Sequence, residues 1–291
     1  MWLILSFISA GLSAAAAVSQ KKVLFREGAL EFSYKLSFFN LIFSLPFFLL
    51  VNPTDISLTS ILILYIKTII GTLAFLYVML TLKNLDISGA LPMMVLTPGL
   101  VAVFAFLFVG DKLSSFEISG MLLLVVGTYL LEMNGSKSIF EPFTIFYKSK
   151  KHHYIVFALL LFTITAILDR LLLVKYKMPP TSLMAFQHLF FFINFALIII
   201  IKKKNLIPEI KNTPVTTLKY IAIISIITIG YRWTNIEAIK LAPVALVLSI
   251  KRTSTFFASL IGGKLFNEPN LARRVIAAAI MSAGAIIIIN Y

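Results

Sequence analysis

Cysteine is absent from these 291 residues, which removes disulfides, thiolate metal sites, iron–sulfur clusters and cysteine nucleophiles together. Acid is scarce, with 12 Asp and Glu against 26 Lys and Arg, and charged residues make up only 13% of the chain, about half the usual share of a soluble protein. The sequences G-x-x-x-x-G-K-[ST], G-x-G-x-x-G and G-x-S-x-G do not occur, so ATP-driven work and acyl-enzyme chemistry have no recognisable machinery. His152 and His153 are adjacent and lack metal spacing, which leaves no expectation of a metal or a cofactor.

What the chain has instead is apolar length: 59% of it is hydrophobic. Since a hydrocarbon core about 30 Å thick takes roughly 20 helical residues to cross, ten crossings use about 200 residues and leave short connections. Apolar runs bounded by charge, Gly or Pro fall near Trp2 to Ser19, Leu36 to Val51, Ile61 to Leu82, Gly89 to Val109 and Phe116 to Glu132. After a polar, basic stretch come Tyr154 to Leu173, Leu183 to Ile201, Leu218 to Ala238, Pro243 to Gly263 and Ala272 to Asn290. The expectation is an all-α integral membrane protein of ten transmembrane helices. The first run has no Lys or Arg ahead of it and meets Lys21, Lys22 and Arg26 behind it, so it reads as an uncleaved span rather than a signal peptide.

The halves resemble each other. An offset of 157 residues lays Asp111 on Glu268, Gly120 on Ala277 and Gly127 on Gly284. Each match is an acid after a long run, or a small residue seven from another on one face of the next, where helices approach closely. With five runs per half, the copies enter the membrane from opposite sides, giving two inverted five-helix repeats over 1–133 and 154–291 with 134–153 as the connection. The formal net charge of +14 collects between runs: 17 Lys or Arg flank the odd-to-even connections and five the opposite ones. Basic loops held on one side of a bilayer explain that balance, and nucleic acid is not needed as a partner. The charge count puts both termini outside.

An ionisable residue near the bilayer centre costs a few kcal/mol on insertion scales, so each is a candidate for function. Lys251 lies eight residues after Pro243, about 12 Å along a helix, and Arg252 points about 100° away from it, so both cannot snorkel along one lipid face. Asp169 beside Arg170, and Glu237 three before Lys240, each have a local cation, which leaves Lys251 and Arg252 in need of a counter-ion that a bound anion supplies. Arg232 is a second cation for that ligand or an interfacial anchor, with Tyr231 and Trp233 on either side. Lys67, six residues into its run, reads as a snorkelling residue. Gln187, His188 and Asn194 put hydrogen-bonding groups into the seventh run, as ligand contacts or interhelical bonds, and His188 and Asp169 are open to a proton-coupling role. Pro92 and Pro98 bend the fourth run.

The order A-P, S-I-K-R-T-S, F-F-A-S-L-I-G-G-K-L-F-N-E across Ala242 to Ile289 resembles the C-terminal EamA-type unit of the drug/metabolite transporter superfamily. Leu91 to Leu131, with T-P-G and G-D-K-L-S, resembles its N-terminal unit. The resemblance implies a multi-pass secondary transporter, in the plasma membrane or the inner membrane of a Gram-negative cell, with both termini in the cytosol, against the charge count. The pair Lys251 and Arg252 is similar to the K-R pair with which plastid-type sugar-phosphate translocators bind phosphate, and Tyr231 falls near their ligand-contacting Tyr. Met94 and Val95 stand at the repeat-equivalent places and supply no first-half cation.

The resulting expectation is carriage of a small polar anionic metabolite by exchange or gradient coupling. Lys251, Arg252, Arg232, Tyr231, Gln187 and His188 form its site, and Asp169 is a coupling group. Its rivals are export of amino acids or amphiphiles, and a flippase or accessory subunit for lipid-linked phosphates. An intramembrane enzyme has no nucleophile, metal set or carboxylate pair to work with.

Overall fold

The computed structural model describes residues 1–84, 97–132, 150–202, 204–251, 253–254 and six isolated positions beyond, among them Met281 and Gly284. Its described elements are helical throughout. In order they are α1 (Trp2–Leu24), α2 (Ala29–Phe48), α3 (Leu58–Asn84), α4 (Thr97–Val109), α5 (Ser115–Glu132), α6 (Lys150–Arg170), α7 (Pro180–Ile201), the short α8 (Leu206–Lys211) and α9 (Val215–Leu241). Residues 244–251 are helical as well.

Among the described residues five segments are long and apolar enough to cross a membrane: Trp2–Leu24, Leu58–Asn84, Phe157–Lys175, Pro180–Ile201 and Val215–Leu241. Thr97–Val109 and Ser115–Gly127 are apolar but shorter. Helices overrun the apolar runs: α3 continues to Asn84 and α9 starts at Val215, because backbone bonding carries on past the last apolar side chain. The second run shifts most. Its helix starts at Ala29, seven residues before Leu36, and so takes in Glu31 and Lys35. Pro92 lies outside the described residues, and Pro98 is buried at the start of the described part of α4.

The outer surface is apolar. Phe104, Phe106, Leu107 and Phe108 on α4 are all exposed, as are Leu62, Ile66, Ile69 and Leu73 along α3. A continuous apolar surface of this kind is an aggregation site in water and an ordinary face in lipid. The inside is as polar as a membrane interior allows, with buried hydroxyls folded back onto their own helices. Thr72, Thr163 and Thr228 each donate to the carbonyl four residues earlier at 2.7 to 2.9 Å, which satisfies the hydroxyl without a partner helix.

The most extensive packing joins α1 to α9, α3 to α6 and α2 to α7. Close approach is set by small residues. A methyl on Gly284 would lie 2.7 Å from the Gly120 carbonyl oxygen, so two backbones touch where only glycine fits. Residues 244–250 are buried on every face, which places this helix in the middle of the bundle rather than at its lipid edge.

Candidate functional site

The site begins with how α6 ends. Its last two residues, Asp169 and Arg170, are followed by a π turn over Leu171–Lys175, and the chain then leaves through Lys177 in the left-handed region at φ 51°. Consecutive helical residues point about 100° apart, so Asp169 and Arg170 face different neighbours. Of the two readings open for Asp169, a local pair with Arg170 or a cavity group, the local pair does not form among the ion pairs of the described residues.

Asp169 turns inward and is 3% exposed. Its Oδ1 pairs with Lys67 from α3, and its Oδ2 lies 3.8 Å from the Arg232 guanidinium of α9. Both cations also donate to Gln187 Oε1 on α7. Four helices thus meet through four polar side chains. Lys67 corrects its reading as a snorkelling residue: its side chain is 1% exposed, and Asp169 explains why, since a buried ammonium is tolerable only when paired and hydrogen-bonded. The signal for it was present in the sequence as an acid deep in one apolar run and a lysine deep in another.

Around this cluster lies a cavity of about 240 Å³, whose wall includes Lys67, Asp169, His188, Tyr231, Arg232 and Lys251. That is far above the ~15 Å³ one water needs. Lys251 Nζ sits 5.0 Å from the centroid of the Tyr231 ring, within cation–π range. Arg252 lies outside the described residues. Asn194, seven from Gln187, does something else: its Nδ2 donates to Thr68 at 3.5 Å and Thr72 at 3.4 Å, tying α7 to α3. Besides Asp169 Oδ1, which has its ion pair with Lys67, the buried side-chain atoms without a hydrogen-bond partner among the described wall residues are both ring nitrogens of His188, which is 3% exposed, and Oδ1 of Asn235, which is 2% exposed. Asn235 carried no signal in the sequence reading, since it sits on the same turn as the more conspicuous Tyr231 and Arg232.

The wall continues past Phe75, Phe162, Phe191 and Phe195 to Gln20, Ser33 and Leu82. These last three mark the end of α1, the start of α2 and the end of α3, the same face that carries Lys21, Lys22 and Lys83. At the opposite face a second polar cluster ties the bundle together. Gly110, at φ 79°, stops α4 in a conformation that suits glycine, and its N–H bonds back to Ala105 O at 3.0 Å. Asp111 follows. It accepts from Arg170 Nε at 3.2 Å and Nη2 at 3.0 Å, and from the backbone N–H of Val244 at 3.3 Å, capping the start of the central helix. Arg170 Nη1 completes the tie by donating to Ile239 O at 2.6 Å. The expected Glu237–Lys240 pair is not among the ion pairs of the described residues. An exposed lysine three residues away gains too little to hold one rotamer.

Comparison with known proteins comes out unevenly. Residues 1–133 match the model of the EamA-like transporter family. That stretch is similar to an EamA-like transporter unit. That agrees with the superfamily resemblance seen in the first half of the sequence, at Leu91 to Leu131. A solved crystal structure superposes with a TM-score of 0.72 over 98% of this chain and 95% of its own, at 14% identity, which speaks to the fold. No curated protein matches.

Proposed function

We propose that this EamA-like chain is a secondary transporter that moves a small anionic metabolite through the central cavity by alternating access, as a ten-span protein of two inverted five-helix units over 1–133 and 154–291. The observation that carries the reading is the cavity itself. In its wall Lys67 and Arg232 share one carboxylate, Asp169, so this buried cluster carries more positive than negative charge in a low-dielectric setting. A bound anion offsets that excess. Arg252 is assigned to the same site from its place beside Lys251, Tyr231 and His188 line the wall, and Gln187 holds Lys67 and Arg232 in place.

The packing pairs support the inverted repeat. If α1, α2 and α3 correspond to α6, α7 and α9, a two-fold relation turns the α1–α9 contact into the α3–α6 contact and maps α2–α7 onto itself. Exposed Lys22 and Lys83, on the face where Gln20 and Leu82 line the cavity, favour anions on approach. A multi-pass place in the plasma membrane, or the inner membrane of a Gram-negative cell, goes with this reading.

Flux into proteoliposomes loaded with and without internal anion tests it. Radiolabelled anions should enter by exchange, and Lys251→Ala should cut the rate more than tenfold while the protein stays monodisperse. Wild-type rates in Lys251→Ala remove that residue from the site. Lipid flipping without flux of any soluble anion favours the lipid-linked reading instead.

A further inference from the structure

The two ends of the cavity wall differ in chemistry, and the difference narrows the ligand. At the charged end both Asp169 oxygens are engaged by Lys67 and Arg232, so no uncommitted carboxylate among the described wall residues is present to receive an ammonium. A zwitterion would bring its positive group into a site already in positive excess. Beside that end are the unpartnered imidazole of His188 and the unpartnered Oδ1 of Asn235, both more than nine-tenths buried. A buried acceptor without a donor costs free energy, so the ligand that completes the site carries a donor. A neutral imidazole offers one donor and one acceptor, and a single hydroxyl can accept from His188 while donating to Asn235.

Further along, the wall includes Phe75, Val78, Met79, Phe162, Phe191 and Phe195. Phe75 and Phe195 already meet edge to face at 6.2 Å. Ser33, Ser37 and Thr165 also line the wall, but each hydroxyl already donates to a carbonyl of its own helix at 2.7 to 3.0 Å, so the many hydroxyls of a sugar would find few partners here. An aromatic or branched apolar body would be at home.

We infer that the cavity selects an apolar-bodied hydroxy-monocarboxylate: one carboxylate on the Lys67–Arg232 cations, one hydroxyl between His188 and Asn235, and a hydrocarbon body along the phenylalanine wall. This rests on the anion-carrier reading and deepens it. It separates the ligand from the sugar phosphates that the K-R pair suggests and from zwitterionic amino acids.

The test uses the full chain in detergent and in proteoliposomes with 3-phenyllactate, 3-phenylpropionate, lactate, phenylalanine and glucose 6-phosphate as probes, read by thermal shift titration and by uptake. Phenyllactate should bind about fivefold tighter than phenylpropionate, the worth of one net hydrogen bond. It should bind more than tenfold tighter than lactate, which lacks the body, and than phenylalanine. Asn235→Leu should bring the phenyllactate-to-phenylpropionate ratio near one, and His188→Phe gives the same readout should the first variant not fold. Tighter binding of glucose 6-phosphate or phenylalanine than of phenyllactate overturns the inference while leaving an anion or solute carrier intact. An equal loss of both aryl acids in Asn235→Leu also overturns it. Failure of every probe to bind or move overturns the carrier reading along with it.

Discussion

Asp169 and Arg170 are neighbours in sequence and belong to different structures. Asp169 joins Lys67, Arg232 and Gln187 in the bundle interior, where it is 3% exposed and borders a cavity. Arg170 joins Asp111 and two helix ends near the face, where both side chains keep 10 to 11% of their surface. The interior cluster has more cations than acids and hydrogen-bonding capacity left over in His188 and Asn235. The outer one is an acid and a base whose remaining valences go to backbone at Val244 and Ile239. A cluster that satisfies itself holds helices; a cluster left incomplete is built to receive something.

The sharpest way to break the comparison is to remove its hub. Asp169→Ala strands two buried cations, and losing one partner of a buried pair typically costs about 3–5 kcal/mol. The expected result is a large drop in melting temperature and loss of anion flux, with partial recovery of stability when a monocarboxylate is added. A melting temperature no lower than that of Arg170→Ala would put the two clusters on the same footing and end the distinction.

Arg170→Ala comes next. It removes charge-assisted bonds worth on the order of 1.5–3 kcal/mol from a partly wet site and uncaps nothing in the cavity. It should lower stability less than Asp169→Ala while leaving equilibrium affinity for the ligand within about threefold. Because the two clusters share no partner, the double variant should lose the sum of the single losses to within about 0.5 kcal/mol. A coupling energy above about 1 kcal/mol would make them one network.

The smallest effect comes from a third pair, outside the apolar runs. Burial pushes the Glu31 carboxyl up, but the hydrogen bond from Lys204 and its charge outweigh this and hold it below the usual 4.5. The same bond raises Lys204 above 10.5. With the carboxyl depressed, its contribution is present above pH 4.5 and fades as pH falls through the lower folded value. With the amine raised, its contribution is complete below 10.5 and fades above it. Glu31→Gln should therefore cost under about 1 kcal/mol, a surface-pair magnitude, across the range between, and nothing further in acid. Melting curves of both proteins from pH 4 to 9 decide it. A Glu31→Gln deficit that grows towards acid contradicts the sign.

The apolar runs were legible because crossing hydrocarbon demands length, and length is countable. Lys251, Arg232, Tyr231, Gln187 and His188 were legible as charges and amides where lipid should be, and all but Gln187 line the cavity directly. Gln187 instead bridges Lys67 and Arg232 from just behind them. Lys67 was misjudged because snorkelling depends on which way a helix face points, which no single run reveals. Of the two readings of Asp169, a cavity group and a pair with Arg170, the first agrees with its place in the cavity wall and the second does not form, as adjacency on a helix is divergence in space.

Composition and periodicity alone determined that this chain is helical, that it belongs in a bilayer and that a few polar groups must be sheltered there, because hydrocarbon penalises every exposed polar atom regardless of partner. Which acid shelters which base was decided only when four helices came together, since distances between runs far apart in sequence are set by packing. The unfilled valences of His188 and Asn235 exist only in that packed state, and no reading of residue types could have found them.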